Sequence, residues 1–335
     1  MSLDQANRSF LLFAGVALLF ATTVICGAVG GVLLPLSLAR MSHGGLVELW
    51  SDRGSLLAPL ALYALIAVGL GLACHTLVRQ AIASRVLSRR VRALASPAPE
   101  ALAQAARQTG LAGRVVHLDA ADSFSFVYGV ITPHVAVSRG LLERATDEEL
   151  RAVLEHEHYH VRNIDPLKTA IVRVLSKTLF LLPALDALRA RYIAGRELAA
   201  DRRAVALCGH RPLAGALLKV VRGPDWSEHA GAAAISSPGL LDMRLLQLET
   251  GSEPKPRALD ARSVVLSLGG AALFVVVFLV SVSHLGGAAA VHHATGTNLM
   301  IATSLDTLTC TAPFAGAGLL VYALIALRAS RPCRP

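Results

Sequence analysis

The sequence predicts an α-helical integral membrane protein that carries one water-facing, mainly α (α+β) domain with a small sheet. Three observations lead there. Of 335 residues, 54% are hydrophobic and only 16% charged, and the mean hydropathy is +0.54, a composition more apolar than that of an average soluble domain. The apolar residues gather in four long uncharged runs instead of spreading through one core pattern. Between the second and third runs lies a segment, 79–262, long enough for one compact core. The net charge of +9 comes from basic residues clustered beside an apolar run, which suits lipid headgroups, so a lipid bilayer is the expected partner and direct nucleic-acid binding is not expected. Cys26, Cys74, Cys208, Cys310 and Cys333 show no CxxC spacing, which argues against a disulfide framework or a cysteine metal site.

The first run, 10–38, can cross about 30 Å of hydrocarbon with tilt, and Pro35 marks its end. A secretory signal would have a shorter apolar stretch and a cleavage site, so a retained span is expected. The second run, 56–78, is followed at once by Arg79, Arg85, Arg89, Arg90 and Arg92, a basic collar of the kind that stays in the cytoplasm. The third, 264–282, follows Lys255, Arg257 and Arg262; the fourth, 312–327, contains Pro313 and ends at Arg328, Arg331 and Arg334. The stretch 283–311 holds no Lys or Arg, as an outward loop should, whereas Arg40 and Arg53 in the loop 39–55 weaken the asymmetry slightly. The expected organisation is two N-terminal spans in 1–78, a cytoplasmic domain over 79–262 and two C-terminal spans in 263–335, in a multi-pass protein of the cell membrane.

Within the domain, Ser96, Pro97, Ala98 and Pro99 read as a linker. A helix over 100–109 is stopped by Gly110, and short β-rich stretches follow at 114–118, 123–128 and 134–138, with Gly129 and Pro133 supplying the turn. Thr146 and Glu149 have capping-box spacing, and Leu150, Val153 and Leu154 open an amphipathic face, so a helix should run from Asp147 to about Asn163.

That helix contains His156-Glu157-His158-Tyr159-His160, an HExxH. Positions four apart share a helix face, so His156 and His160 can offer imidazoles to one zinc ion while Glu157 sits beside the first ligand. His158 is rotated by about 200° from His156 and should point elsewhere. Two imidazoles need a third protein ligand and leave one position for a water whose pKa falls to about 7. A second helix over 185–207 carries Glu197 and Asp201 four apart: Glu197 is the candidate third ligand, and Asp201 the carboxylate that orients a histidine through its other ring nitrogen. The expected chemistry is hydrolysis of peptide bonds in a protein or peptide substrate, with Zn2+ as cofactor and Glu157 as the base that takes the water's proton. Ser123, Ser125 and Val127 are candidates for a strand that holds substrate through main-chain hydrogen bonds. A non-proteolytic zinc-binding membrane sensor is disfavoured because Glu157 serves no structural site, and a transporter because the spans hold no Asp, Glu, Lys or Arg.

These residues resemble the membrane-embedded zinc peptidases of the gluzincin group, with their zincin-like catalytic domain. The resemblance covers about 123–248, through Ser125-Phe126-Val127-Tyr128-Gly129, the stretch 135–142, His156 to Asp165, Phe180-Leu181-Leu182-Pro183 and Glu197 to Val205. It implies that His156, His160 and Glu197 bind zinc, that Glu157 is the base, and that Asp165, five residues past the second histidine, belongs to the site. The short interval from His160 to Glu197 resembles the BlaR/MecR-type antirepressor peptidases more than the HtpX or CAAX-prenyl-protease type. The latter carry Asn-Ala-Phe on the edge strand and a His-Pro pair, where this chain has Ser125-Phe126 and Ser237-Pro238. The BlaR/MecR resemblance implies a cytoplasmic transcriptional repressor as substrate; the HtpX resemblance implies quality control of membrane proteins. With no large domain after the last run, β-lactam sensing by this chain alone is not expected. His210 is read as a helix-cap or surface residue and His229 is unassigned; His284, His292 and His293 in the outer loop have no paired carboxylate motif, so a metal or acid-sensing role is not expected of them, and Tyr192 is read as core.

Overall fold

The computed structural model describes residues 53–220, 238–254 and 259–290, and parts of 9–17. Most of the first run, the whole fourth run and the stretch 291–311 lie outside them. The chain divides into two compact units: Met1–Phe10, Cys74–Val174 and Arg189–Arg257 form one, and Leu11–Ala73, Leu175–Leu188 and Ala258–Pro335 the other.

Helix α1, Arg53–Leu94, runs for 42 residues without a break through the second apolar run and its basic collar. It is followed by β1 (Ala95–Ser96), α2 (Glu100–Gln108), β2 (Val115–Leu118), β3 (Ser125–Tyr128), β4 (His134–Ser138) and α3 (Arg139–Arg144). Then come α4 (Asp147–Arg162), α5 (Asp165–Thr178), α6 (Ala184–Cys208), α7 (His210–Lys219), α8 (Pro238–Thr250) and α9 (Ala261–Ala290). The architecture is mainly helical with one small mixed sheet.

In the first unit the strands lie in the order β1-β2-β4-β3, with β2 and β4 parallel and both edge pairs antiparallel. Both faces of the sheet are covered, which explains its short, strongly apolar strands. On one face Val127, Val135 and Val137 pack with Leu102 of α2 and Leu150, Val153 and Leu154 of α4. On the other, Phe124, Phe126 and Ala136 meet Leu87 and Val91, one turn apart on α1. Each such fully buried aliphatic side chain contributes about 1.5–3 kcal/mol. The stretch read as a linker is thereby tied down: Ala95–Ser96 pairs with β2, and the Ser96 hydroxyl and Pro97 carbonyl both contact His117 Nδ1, at 2.8 and 3.1 Å. Gly129, at φ +90°, makes the β3–β4 turn that side-chain-bearing residues resist.

In the second unit, Leu62 of α1 packs with Phe274 and Phe278 of α9. Small residues allow close approach there: a Cβ on Gly270 would collide with the Leu181 carbonyl. The Ser267 hydroxyl accepts the Ala184 N–H at 2.8 Å, satisfying an orphan donor at the start of α6. Among the described residues two helices, over Leu60–Leu94 and Ala261–Phe278, are long and apolar enough to cross a membrane, and only 11% and 22% of their apolar windows are buried within the protein. Helix α9 continues to Ala290, past the end expected for the third run at 282.

The expected capping box is present. Thr146 Oγ1 accepts the Glu149 N–H at 3.3 Å, and Glu149 Oε2 accepts the Thr146 N–H at 2.8 Å and a Lys219 Nζ–H at 2.6 Å. Burial opposes ionisation of Glu149, but Lys219 and the Thr146 N–H outweigh it and hold its pKa below the ordinary carboxyl value. Thr146→Ala should cost about 1 kcal/mol of stability while Thr146→Ser costs little, read as the shift in thermal unfolding of the detergent-solubilised chain.

Candidate metal centre

Helix α4 brings three chemistry-bearing residues onto its buried surface. His156 and His160, one turn apart, and Glu157 are each 3% exposed. Glu197 of α6 faces them and is 1% exposed. The two Nε2 atoms are 3.2 Å apart, and Glu197 Oε2 lies 3.4 Å from that of His156 and 3.7 Å from that of His160. Ligand atoms of all three residues fall within 4.8 Å of one another.

The outer ring nitrogens are bonded to carboxylates. His156 Nδ1 lies 2.8 Å from Asp201 Oδ1, and His160 Nδ1 lies 2.6 Å from Asp165 Oδ2. Asp201 stands one helical turn after Glu197 on α6. Asp165 reaches His160 through the turn between α4 and α5, where Ile164 adopts φ +53°. That left-handed conformation is rare for a β-branched residue, and its cost, of order 1–3 kcal/mol, is borne where the chain reverses to bring Asp165 back. Tyr192 is buried, as expected of a core residue, and its hydroxyl donates to Asp165 Oδ1 at 3.4 Å.

Arg244 of α8 was not singled out in the sequence. Its Nε and Nη2 donate to the two oxygens of Asp201, each at 2.6 Å, and it is 1% exposed. Arg196, also buried, places Nε 3.3 Å from Glu197 Oε1 and donates through Nη1 to Thr169 at 2.6 Å. No local pattern could have revealed Arg244, which lies 43 residues beyond its partner.

The donor set suits a divalent cation. Both oxygens of Glu197 are buried without a hydrogen bond and meet the Arg196 and imidazole nitrogens only as longer ion-pair contacts of 3.3–3.7 Å, an arrangement with room for a further positive partner. Glu157, Asp165, Glu197 and Asp201 are four buried carboxylates against two buried guanidinium groups, Arg196 and Arg244, a shortfall of two positive charges. Without a metal, protons on the imidazoles offset part of it. Burial opposes charge on His160, but Glu197 and Asp165 prevail and push its pKa up to about 10. His156 is likewise raised, burial being outweighed by Asp201 and Glu197. Glu197 is held well below the carboxyl range and Asp201 at about 2, in each case against burial, by His160 for the first and Arg244 for the second.

The remaining expected residues fall as follows. His158 turns away, 3.4 Å from Arg203 and 3.8 Å from Glu155. The Ser125 hydroxyl donates to Glu157 Oε1 at 2.7 Å. Ser123 precedes β3, and the side chains of Ser123, Ser125 and Val127 are all buried. β3 is an edge strand among the described residues, and Phe124 O accepts the Ser138 N–H. By antiparallel alternation the main-chain groups of Ser125 and Val127 then point to the open edge. His210 is exposed at the first position of α7. His229, His292, His293, Ser237 and the side chain of His284 lie outside the described residues.

A comparison with protein families matches residues 53–248, more than half of the chain, to the family described as BlaR1 peptidase M56. The chain belongs to that family and is a membrane-associated metallopeptidase acting on protein or peptide.

Protons and metal compete for the same nitrogens, which sets a pH dependence. Protonated His160 stabilises the metal-free fold fully below pH 6.5, and that contribution is lost as pH rises through about 10; the Asp201 contribution is present above pH 3.8 and lost as pH falls through about 2. Metal titrated into metal-free protein at pH 7 should release protons, read by calorimetry in buffers of different ionisation heat, and release fewer at pH 10. The thermal stability of the metal-free form should fall between pH 6.5 and 10.

Proposed function

Taking membership of the BlaR1 peptidase M56 family as the premise, we propose that this chain is an integral membrane zinc metalloendopeptidase whose catalytic domain faces the cytoplasm and whose substrate is a transcriptional repressor. The observation that carries the reading is the buried convergence of His156, His160 and the hydrogen-bond-deprived Glu197 beside Glu157.

Asp201 and Asp165 accept from Nδ1–H, which selects the tautomer whose Nε2 lone pair faces the ligand space. His156, His160 and Glu197 would then hold zinc with one position open, the pattern of catalytic sites. Bound zinc supplies an acidified water and a Lewis acid for the scissile carbonyl. Glu157 takes the proton of the attacking water and returns it to the leaving amine. The Ser125 hydroxyl, bonded to Glu157 Oε1, fixes that carboxylate in place. The open edge of β3 supports substrate binding as an added strand at Ser125 and Val127, with Ser123 just upstream, which gives main-chain affinity and little sequence selectivity. The arginine collar on α1 supports the cytoplasmic orientation, and the short interval from His160 to Glu197 supports the repressor class.

Glu157→Gln should retain about one zinc per chain yet lose 10²–10⁴-fold or more in casein hydrolysis, roughly the worth of a general base. His160→Ala should lose the metal itself, read by elemental analysis; undiminished zinc would reject the ligand assignment. For sidedness, Leu218, 83% exposed on α7, serves as a reporter: in a background lacking other cysteines, Leu218→Cys should resist an impermeant thiol reagent in intact cells and react after lysis. Labelling from outside would exclude a cytoplasmic repressor as substrate.

A further inference from the structure

One buried cation beside Glu157 has a donor left over. Arg244 satisfies Asp201 with Nε and Nη2, and Nη2 lies 3.5 Å from His156 Nδ1. Its third nitrogen, Nη1, is buried with no hydrogen-bond partner. A guanidinium is charged at every accessible pH, so Nη1 is a fixed donor with no protein acceptor. Arg244 lines the same cavity as Ser125, His156 and Glu157, and is the one permanently charged cation on its wall among the described residues. The rest of that wall includes Val153, Leu213 and Leu217, apolar groups that strengthen any charge–dipole contact made there.

We infer that Arg244 is a catalytic residue of the proposed peptidase: its Nη1–H donates to the scissile carbonyl oxygen as that oxygen acquires negative charge. This rests on the zinc peptidase reading above. The water oxygen forms a bond to the carbonyl carbon and the π pair moves onto the carbonyl oxygen, where Nη1–H receives it. Glu157 holds the proton taken from the water. On collapse the C=O bond re-forms, the C–N bond breaks, and the proton passes from Glu157 to the departing amine, while Arg244 keeps its own proton throughout. Two bonds to a buried aspartate hold the guanidinium in place, and a donor oriented in advance of the developing charge stabilises it most. Asp201 thus joins His156 to Arg244, because Oδ1 accepts from both.

The test uses the full chain in detergent, loaded with zinc, and compares it with Arg244→Lys and Arg244→Gln. Lysine keeps a charge beside Asp201 but lacks the forked third nitrogen. The expected result is retained zinc, KM for casein peptides within a few-fold, and kcat lower by about 10²–10³. A phosphonamidate tripeptide, whose phosphoryl oxygens mimic the charged carbonyl oxygen, should bind weaker by the same factor, while a cleaved product peptide binds as before. Zinc-replete Arg244→Lys with undiminished kcat or phosphonamidate affinity would overturn the inference. So would activity that zinc saturation fully restores, which would confine Arg244 to holding Asp201. If the variants do not fold, 15N-arginine spectra of the unmodified chain decide: the phosphonamidate should move a buried guanidinium proton downfield, and an unmoved spectrum rejects the contact. An unmodified chain that binds zinc and the phosphonamidate but cleaves nothing would sink the peptidase reading alone.

Discussion

Buried negative charge in excess of buried positive charge is the constraint on which the catalytic unit depends. Burying an ion without a partner costs several kcal/mol even after relaxation. Glu197 is the extreme case, enclosed on all sides yet with neither oxygen hydrogen-bonded. The fold tolerates this because the Arg196 guanidinium and two imidazoles stand against it, and the imidazoles can each carry a proton or share a cation. Proton-bearing and metal-bearing forms are therefore alternative ways of closing the same electrostatic gap, and the scaffold need not collapse when one replaces the other.

The scaffold holds those groups by distributing them over elements that are themselves secured elsewhere. Helix α4 is packed against the sheet through Leu150, Val153 and Leu154 and is capped by Thr146, so the two imidazoles inherit the rigidity of a core helix. Glu197 and Asp201 share α6 at a one-turn interval, so placing one places the other. Asp165 depends on a strained turn and Arg244 on a helix distant in sequence. Each imidazole is thus steered by a carboxylate that is in turn held by a further donor, Tyr192 for one and Arg244 for the other.

Much of this was legible in the sequence because it is local. The capping box, the HExxH pair and the Glu197–Asp201 interval are short-range patterns that a helix converts directly into shared faces. Gly110 and Gly129, read as helix stop and turn, both have positive φ. What escaped is long-range or unfavourable. The bond from Arg244 to Asp201 spans 43 residues without a pattern. Ile164 is a residue that no propensity would place in a left-handed turn, and Ser96, read with Pro97, Ala98 and Pro99 as a linker, belongs to a strand of two residues too short to show a period. The Ser125–Glu157 bond joins a strand to a helix 32 residues on, and only the folded sheet brings them together.

Helix α1 is continuous over 42 residues. At 1.5 Å per residue it is roughly 60 Å long, about twice the hydrocarbon thickness of a bilayer. From Cys74 to Leu94 it contains neither glycine nor proline, the residues that make helices bend. Its far end presents Leu87 and Val91 to the same sheet whose edge strand holds Glu157 through Ser125. Along Cys74–Leu94 no glycine or proline joint would absorb a rotation of this segment about its axis, which would reach that sheet as torque.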